Sequence, residues 1–183
     1  MKTIYFIRHG QTKWNVANKI CGATDIELTD LGRDQARQTG KLIASRIREG
    51  KMHIDMILTS PLSRAYDTAS LIAEETGIDF RAEERLREQN FGKYESTPRD
   101  GKEFALQKEN FIYSFDGGES MLKVAHRIYD LLDELATDDK IYLLVAHNGI
   151  ARMINSYFHD MTNKEFARYG IDNCEISEYH YGQ

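Results

Sequence analysis

Short, dense apolar runs alternate along the chain with longer stretches in which apolar residues recur every third or fourth position, the signatures of strand and helix. Thr3-Ile4-Tyr5-Phe6-Ile7, rich in β-branched and aromatic residues, predicts a first strand. Val16 to Ile26 reads as a loop. Thr29 then stands as the N-cap of a helix with Leu31, Ala36, Leu42, Ile43 and Ile47 inward and Gly50 at its end. Met56-Ile57-Leu58 predicts a second strand, after which Ser60 and Pro61 suit the cap and first position of a helix carrying Ala65, Ala69, Ile72 and Ala73 on one face. Asp79 to Leu86 is a third extended piece.

From Gln89 to Gly118 the periodicity fades and aromatic residues accumulate: Phe91, Tyr94, Phe104, Phe111, Tyr113 and Phe115. This segment is expected to be a lid, with a core helix as the alternative and a short helix over Glu103 to Asn110. Regular pattern returns near Glu119 as a long helix with Met121, Val124, Ala125, Ile128, Leu132 and Leu135 inward. Ile141 to Ala146 is a continuous apolar run of the kind buried on both faces of a sheet. A helix with Ile150, Met153, Ile154 and Tyr157 follows, then a short one opened by a capping box of Thr162 and Glu165, and Cys174 to Tyr181 alternates as an edge strand. Strands separated by helices predict an α/β fold with right-handed crossovers and a mostly parallel sheet covered on both faces.

Composition narrows this picture. The 183 residues are 41% hydrophobic with only 2 prolines and no repeat or linker, so one domain over 1–183 is expected, with 89–118 as its lid. A net charge of -5 argues against nucleic acid or an anionic membrane surface as partner. The apolar run after Met1-Lys2-Thr3 is too short for a secretory signal, and no stretch approaches the ~20 apolar residues of a membrane span, so the expected location is the cytoplasm. Cys21 and Cys174 form no metal-like or redox pair and read as inert thiols. The pattern leaves the oligomeric state open between a monomer and a homodimer.

Charge placed at strand ends gives the first chemical signal. Arg8-His9 follows the first strand, Arg64 lies in the first turn of the helix after the second, and His147 follows the fourth. Parallel strands put these ends on one sheet edge, where ligands bind in open α/β folds. Two arginines, two histidines and Asn15 converging there, with no acidic partner in the same motifs, call for a compact anion. Phosphate fits best, because guanidinium forks match its oxygens in geometry and charge. Gly10 permits close backbone approach, and Thr12 adds a hydroxyl. No Asp/His ligand cluster is evident in these motifs, so neither metal nor cofactor is expected.

These residues occur in a recognisable series. Arg8-His9-Gly10-Gln11-Thr12 with Asn15, Gly22-Ala23-Thr24-Asp25, Leu28-Thr29 with Gly32, Thr59-Ser60-Pro61-Leu62-Ser63-Arg64-Ala65, Leu86-Arg87-Glu88 with Phe91-Gly92, Gly117-Gly118-Glu119-Ser120 and Val145-Ala146-His147-Asn148-Gly149 follow one another over nearly the whole chain. In this the sequence resembles the histidine phosphatase, or phosphoglycerate mutase-like, superfamily. The resemblance implies a three-layer α/β/α domain in which His9 is the nucleophile that becomes phosphohistidine. It further implies that Arg8, Asn15, Arg64 and His147 hold the phosphoryl group, and that Glu88 donates the proton. The chemistry of phosphoryl transfer separately asks for charge stabilisation, which Arg8, Arg64 and a protonated His147 are expected to supply without metal. Gln11, Thr12 and Asn148 are expected beside the substrate. Gln11 stands where many relatives have glutamate, and Asn148 where glycine is usual.

The chain lacks the arginine-rich insertion of the mutases and is shorter than they are, which favours hydrolysis of small phosphorylated metabolites over phosphoryl return. Mutase activity is the enzymatic alternative. A non-catalytic phospho-ligand binder is the other, although a binder needs neither nucleophile nor acid. Lys93, Arg99, Lys102 and Lys108 in the lid are candidates to meet a second anionic group on the substrate, or are solvated.

Overall fold

The computed structural model describes residues 2–182. Its centre is a five-stranded sheet of β1 (Thr3–Arg8), β2 (Met56–Thr59), β3 (Phe80–Ala82), β4 (Tyr142–Ala146) and β5 (Ile176–His180), in the order β3-β2-β4-β1-β5. All neighbours are parallel except β5, which pairs antiparallel with β1 at the edge. The helices are α1 (Lys13–Val16), α2 (Asp30–Arg48), α3 (Ser63–Thr76), α4 (Lys102–Gln107), α5 (Met121–Thr137), α6 (Asn148–Phe158) and α7 (Asn163–Arg168).

The period-two alternation of the central strands divides the core into two halves. Tyr5 and Ile7 of β1, with Leu143 and Val145 of β4, face α2 and α3, where they meet Ile43, Ala65, Ala69 and Ile72. Ile4 and Phe6, with Tyr142, Leu144 and Ala146, face α5 and α6 and meet Val124, Ile128, Leu132, Ile150 and Ile154. Both faces are buried, as the unbroken apolar run of β4 requires.

The structure departs from the sequence pattern at several places. Leu31 and Leu42 of α2 are exposed; the face turned inward is made of Gly32, Ala36, Thr39, Gly40 and Ile43. Small residues define that face because α2 lies close on α3: a Cβ at Gly40 would sit 2.9 Å from the Glu75 side chain. The loop expected from Val16 is preceded by the single-turn α1, capped by Thr12. The third extended piece shortens to the three residues of β3, followed by a 3-10 turn over Glu84–Leu86. Ser60 does not cap α3, which starts at Ser63 after an N-cap at Leu62 without a side-chain bond.

Residues 89–118 hold a 3-10 turn (Gly92–Tyr94) and α4, and pack through an aromatic cluster. Phe91 meets Phe104 and Phe115 edge-on at ring-centroid distances of 5.3 and 5.4 Å, and Tyr94 meets Phe115 at 6.0 Å. Phe115 is fully buried, and the cluster is continuous with the core on the α5–α6 side. The segment therefore carries a core of its own besides bordering the site. Phe115→Ala should lower unfolding free energy by about 3–5 kcal/mol, the usual cost of emptying a large aromatic site. Urea denaturation measures this, and a loss below about 1 kcal/mol would mean that the segment packs loosely on the domain.

Candidate active site

Sheet register brings the two histidines together. Arg8 of β1 pairs with Ala146 of β4, so the next residues, His9 and His147, leave adjacent strand ends side by side, with ring centroids 5.2 Å apart. On the other flank of β4, Thr59 pairs with Val145, which carries the chain through Ser60 into α3 and delivers Arg64 to the same edge. The backbone after His9 runs against the start of α2. A Cβ at Gly10 would lie 2.3 Å from the Gly32 carbonyl oxygen, so only glycine permits this approach.

His9 is buried, and its Nδ1 lies 2.7 Å from the Gly10 carbonyl oxygen. A carbonyl only accepts, so Nδ1 carries the proton and Nε2 the free lone pair. Burial, then the charges of Arg64 and Arg8, hold the imidazole well below its ordinary pKa, keeping it neutral as a nucleophile requires. His147 is likewise held neutral, by burial and by Arg64. This corrects the expectation of a protonated His147 for the ligand-free protein. Its Nε2 lies 2.7 Å from the Ser60 hydroxyl, which also accepts a bond from the Leu62 N–H at 3.3 Å. Ser60 is then free to donate to Nε2, leaving the His147 proton on Nδ1.

Each arginine is fixed by backbone carbonyls instead of carboxylates. Arg8 Nη1 donates to Ile171 O at 2.7 Å, and Arg64, wholly buried, donates from Nη1 to Thr24 O at 2.8 Å and from Nη2 to Gly22 O at 2.7 Å. Glu95 holds that carbonyl loop from behind, accepting from Ala23 N at 2.7 Å and Thr24 N at 2.9 Å. Carbonyls orient the guanidinium groups without neutralising them, so the charge stays available to a ligand.

Glu88 is the one acidic side chain in the wall of the cavity, which encloses about 120 Å³. Its carboxylate accepts from Gln89 N at 2.9 Å and from Gly149 N, in the first turn of α6, at 3.0 Å. A Cβ at Gly149 would lie 2.3 Å from Glu88 Oε1, so the glycine after Asn148 makes room for this carboxylate.

The other expected residues divide. Asn148 lines the cavity while its Oδ1 accepts from Ile171 N at 3.0 Å. Asn15 is not in the cavity wall: its Oδ1 accepts from Thr12 N at 2.9 Å, Asn173 Nδ2 links it to the His9 carbonyl, and its own Nδ2 is buried without a partner. Gln11 and Thr12 are not brought to the wall. The Gln11 side chain accepts from the Thr29 hydroxyl at 3.0 Å, and Thr12 caps α1 through Asn15 N at 3.1 Å. Their polar groups serve the turn that carries His9. Cys21 borders the cavity, whereas burial pushes the Cys174 thiol up to about 12, leaving it inert at neutral pH.

Sequence reasoning missed Ser60 as the partner of His147, because Ser-Pro before a helix reads as a cap. It also missed Arg152, which lines the cavity from α6. The available signal was an arginine among Ile150, Ala151, Met153 and Ile154, four residues after Asn148 and so on the same helix face.

Among the described residues, seven buried side-chain polar atoms lack a hydrogen-bond partner, and six are nitrogens: Arg8 Nε, Asn15 Nδ2, Arg64 Nε, His147 Nδ1 and Arg152 Nε and Nη1. Buried donors without acceptors are costly, and four of these six belong to arginines that line the cavity, Arg8, Arg64 and Arg152, so the cavity is suited to anionic groups.

Such a fold and cavity define an α/β protein with a cationic cavity suited to a phosphoryl-sized anion beside a neutral, lone-pair-bearing histidine. A family model described as the histidine phosphatase superfamily (branch 1) matches residues 4–183, and the chain belongs to that superfamily. A probable phosphoglycerate mutase GpmB of Yersinia pestis (strain Pestoides F) is 33% identical over 192 residues, covering 99% of this chain and 86% of that one. Among solved structures, a mycobacterial glucosyl-3-phosphoglycerate phosphatase superposes with a TM-score of 0.82 at 29% identity, over 97% of this chain and 89% of its own. A phosphoserine phosphatase of Entamoeba histolytica, solved with 3-phosphoglyceric acid, gives 0.81 at 27%, over 99% and 91%.

The neutrality of both histidines has a consequence for stability. Their folded-state pKa values lie below the ordinary 6.5. The stability they permit is therefore present in full above that pH and is lost as pH falls, because the unfolded chain then binds protons that the folded one refuses. The loss is up to about 1.4 kcal/mol per pH unit for each histidine. Urea midpoints of the ligand-free protein between pH 7.5 and 5 should fall more steeply than those of the double variant His9→Asn, His147→Asn. Equal slopes would mean that the histidines are protonated in the folded state.

Proposed function

We propose that the protein is a phosphomonoesterase that works through a phosphohistidine on His9, acting on small phosphorylated metabolites in the cytoplasm without metal. One observation carries this reading: a buried neutral imidazole with Nε2 free stands among donors that lack acceptors. Four arginines and a lysine around one carboxylate suit an anion and repel a cation. Among the described residues, no helix is long and apolar enough to cross a membrane.

In the reaction, the ester phosphoryl group enters against Arg8 and Arg64, whose Nε–H donors gain acceptors, with His147 Nδ1–H as a third. His9 Nε2 attacks phosphorus in line as the bond to the alkoxide breaks, and Glu88 passes a proton to the departing oxygen. The alcohol leaves. Water then attacks the phosphohistidine, its proton returns to Glu88, the P–N bond breaks and inorganic phosphate departs. The charge spread over the equatorial oxygens in both steps faces donors that are already in place, which lowers the reorganisation needed at the moment of transfer.

Phosphoryl return to the same substrate, the mutase alternative, uses the same first half-reaction. The relative named as a mutase keeps that alternative in view. Hydrolysis is favoured by the absence of an arginine-rich insertion in residues 89–118.

Rapid-quench experiments with labelled ester separate the roles. Wild-type protein should form an acid-labile, base-stable adduct that His9→Ala cannot form. Glu88→Gln should slow adduct formation from alkyl phosphates by roughly 10²–10⁴-fold, the usual contribution of a general acid, and from p-nitrophenyl phosphate much less, since nitrophenolate leaves without a proton. Label retained in His9→Ala, or equal losses on both esters, would contradict the scheme.

A further inference from the structure

The cavity holds more positive charge than one phosphoryl group needs. Arg8, Arg64, Arg99, Lys108 and Arg152 line it against the single carboxylate of Glu88. A phosphoryl dianion at His9 answers Arg8 and Arg64 and leaves three cations over.

Arg152 is the most telling of the three. It is 5% exposed, and its Nε and Nη1 are buried without hydrogen-bond partners. Among the described residues no carboxylate pairs with it. Buried arginines are ordinarily paired, since an unpaired buried charge is expensive. It lies one helical turn beyond Asn148 on α6, about 5 Å further along the helix axis than the turn that holds Glu88 through Gly149.

The insertion supplies the other two. Arg99 is tethered by its Nε to Lys19 O at 2.7 Å, which leaves both terminal nitrogens of its fork uncommitted among the described residues. Lys108, at the end of α4, holds its ammonium 5.6 Å over the Phe104 ring. Desolvation, then Arg152 and Arg99, pushes it down to about 8. The remaining basic residues of the segment are not available in this way. Lys93 is paired with Asp116 at 2.7 Å, and Lys102 is exposed at the start of α4, outside the cavity wall.

We propose that Arg152, with Arg99 and Lys108, forms a second anion subsite that selects phosphomonoesters whose leaving group carries a further anionic group, a carboxylate or a second phosphoryl. This rests on the phosphomonoesterase reading and extends it to substrate class. Glu88 and Arg99 lie in the same cavity wall as both groups of cations, and Gly149 in the first turn of α6 holds the Glu88 carboxylate at 3.0 Å, one turn before Arg152. The acid that protonates the leaving oxygen thus belongs to the wall that the two subsites share.

The test uses three ligands on one three-carbon frame: glycerol 3-phosphate, 3-phosphoglycerate and glycerol 1,3-bisphosphate, which carry a neutral hydroxyl, a carboxylate and a second phosphate at the far end. Calorimetric affinities are measured with His9→Asn protein, which cannot turn them over, and kcat/KM with active enzyme. At least one doubly anionic ligand should bind roughly 10–100-fold more tightly than glycerol 3-phosphate, the span expected of charge-assisted hydrogen bonds. Which one does so distinguishes a carboxylate from a phosphate subsite.

Arg152→Met should erase that preference while changing glycerol 3-phosphate affinity and p-nitrophenyl phosphate turnover by less than about threefold. Lys108→Met, at the more exposed edge, should reduce the preference in part and guards against a folding defect at the buried site. No preference in the parent protein, or the same loss for all three ligands in a folded Arg152→Met protein, overturns the subsite. A preference in binding with no turnover of any ester by the active enzyme would overturn the hydrolase reading and leave the subsite standing.

Discussion

The physical constraint on which the rest of the structure depends is the burial of positive charge without negative partners. Arg64 is wholly buried, Arg152 nearly so and Arg8 partly, and none has a carboxylate within ion-pair distance among the described residues. Desolvation is the largest influence on each, lowering its pKa. The fold holds these side chains in place with main-chain carbonyls, which satisfy geometry and leave charge uncancelled. Bound anionic groups would complete what the protein leaves open, a phosphoryl group beside His9 answering Arg8 and Arg64, and the same imbalance keeps His9 neutral.

Holding that imbalance requires rigid surroundings. The two histidines descend directly from the β1–β4 register, and both strands are buried on each face. Arg64 depends on a longer chain of contacts, from Glu95 to the backbone of Ala23 and Thr24 and from the Gly22 and Thr24 carbonyls to its guanidinium. Residues 89–118 thereby reach the catalytic edge twice, through Glu95 behind the arginine and through Arg99 and Lys108 at the cavity wall. Their aromatic core fixes both connections to the domain.

Much of this was legible in the sequence because local rules and the fold agree. The β-branched and aromatic run of β1, the continuous run of β4 and the caps at Thr29 and Thr162 all correspond to what the structure contains. The convergence of Arg8, His9, Arg64 and His147 followed from parallel topology alone. Errors arose where a residue's partner is distant in the chain. Ser60 has the local signature of a cap, but its hydroxyl meets His147 across the sheet. Gln11 and Thr12 adjoin His9 in sequence, yet their side chains turn to Thr29 and Asn15. Leu31 and Leu42 looked inward because large apolar residues usually do, whereas close approach to α3 gave that face to glycine and alanine. Arg152 was hidden by an apolar helix, and only the cavity shows what it faces.

The central claim, that an anion supplies the missing partner of the buried cations, is tested most directly by the stability of the protein in inorganic phosphate or vanadate. A ligand at 100 times its Kd adds about 2.7 kcal/mol to unfolding free energy, which in a domain of this size raises Tm by roughly 5–10 °C. That rise is expected at constant ionic strength against chloride, and it should be absent in Arg64→Met protein. A Tm indifferent to phosphate and vanadate, or a rise that survives unchanged in Arg64→Met, would contradict the account.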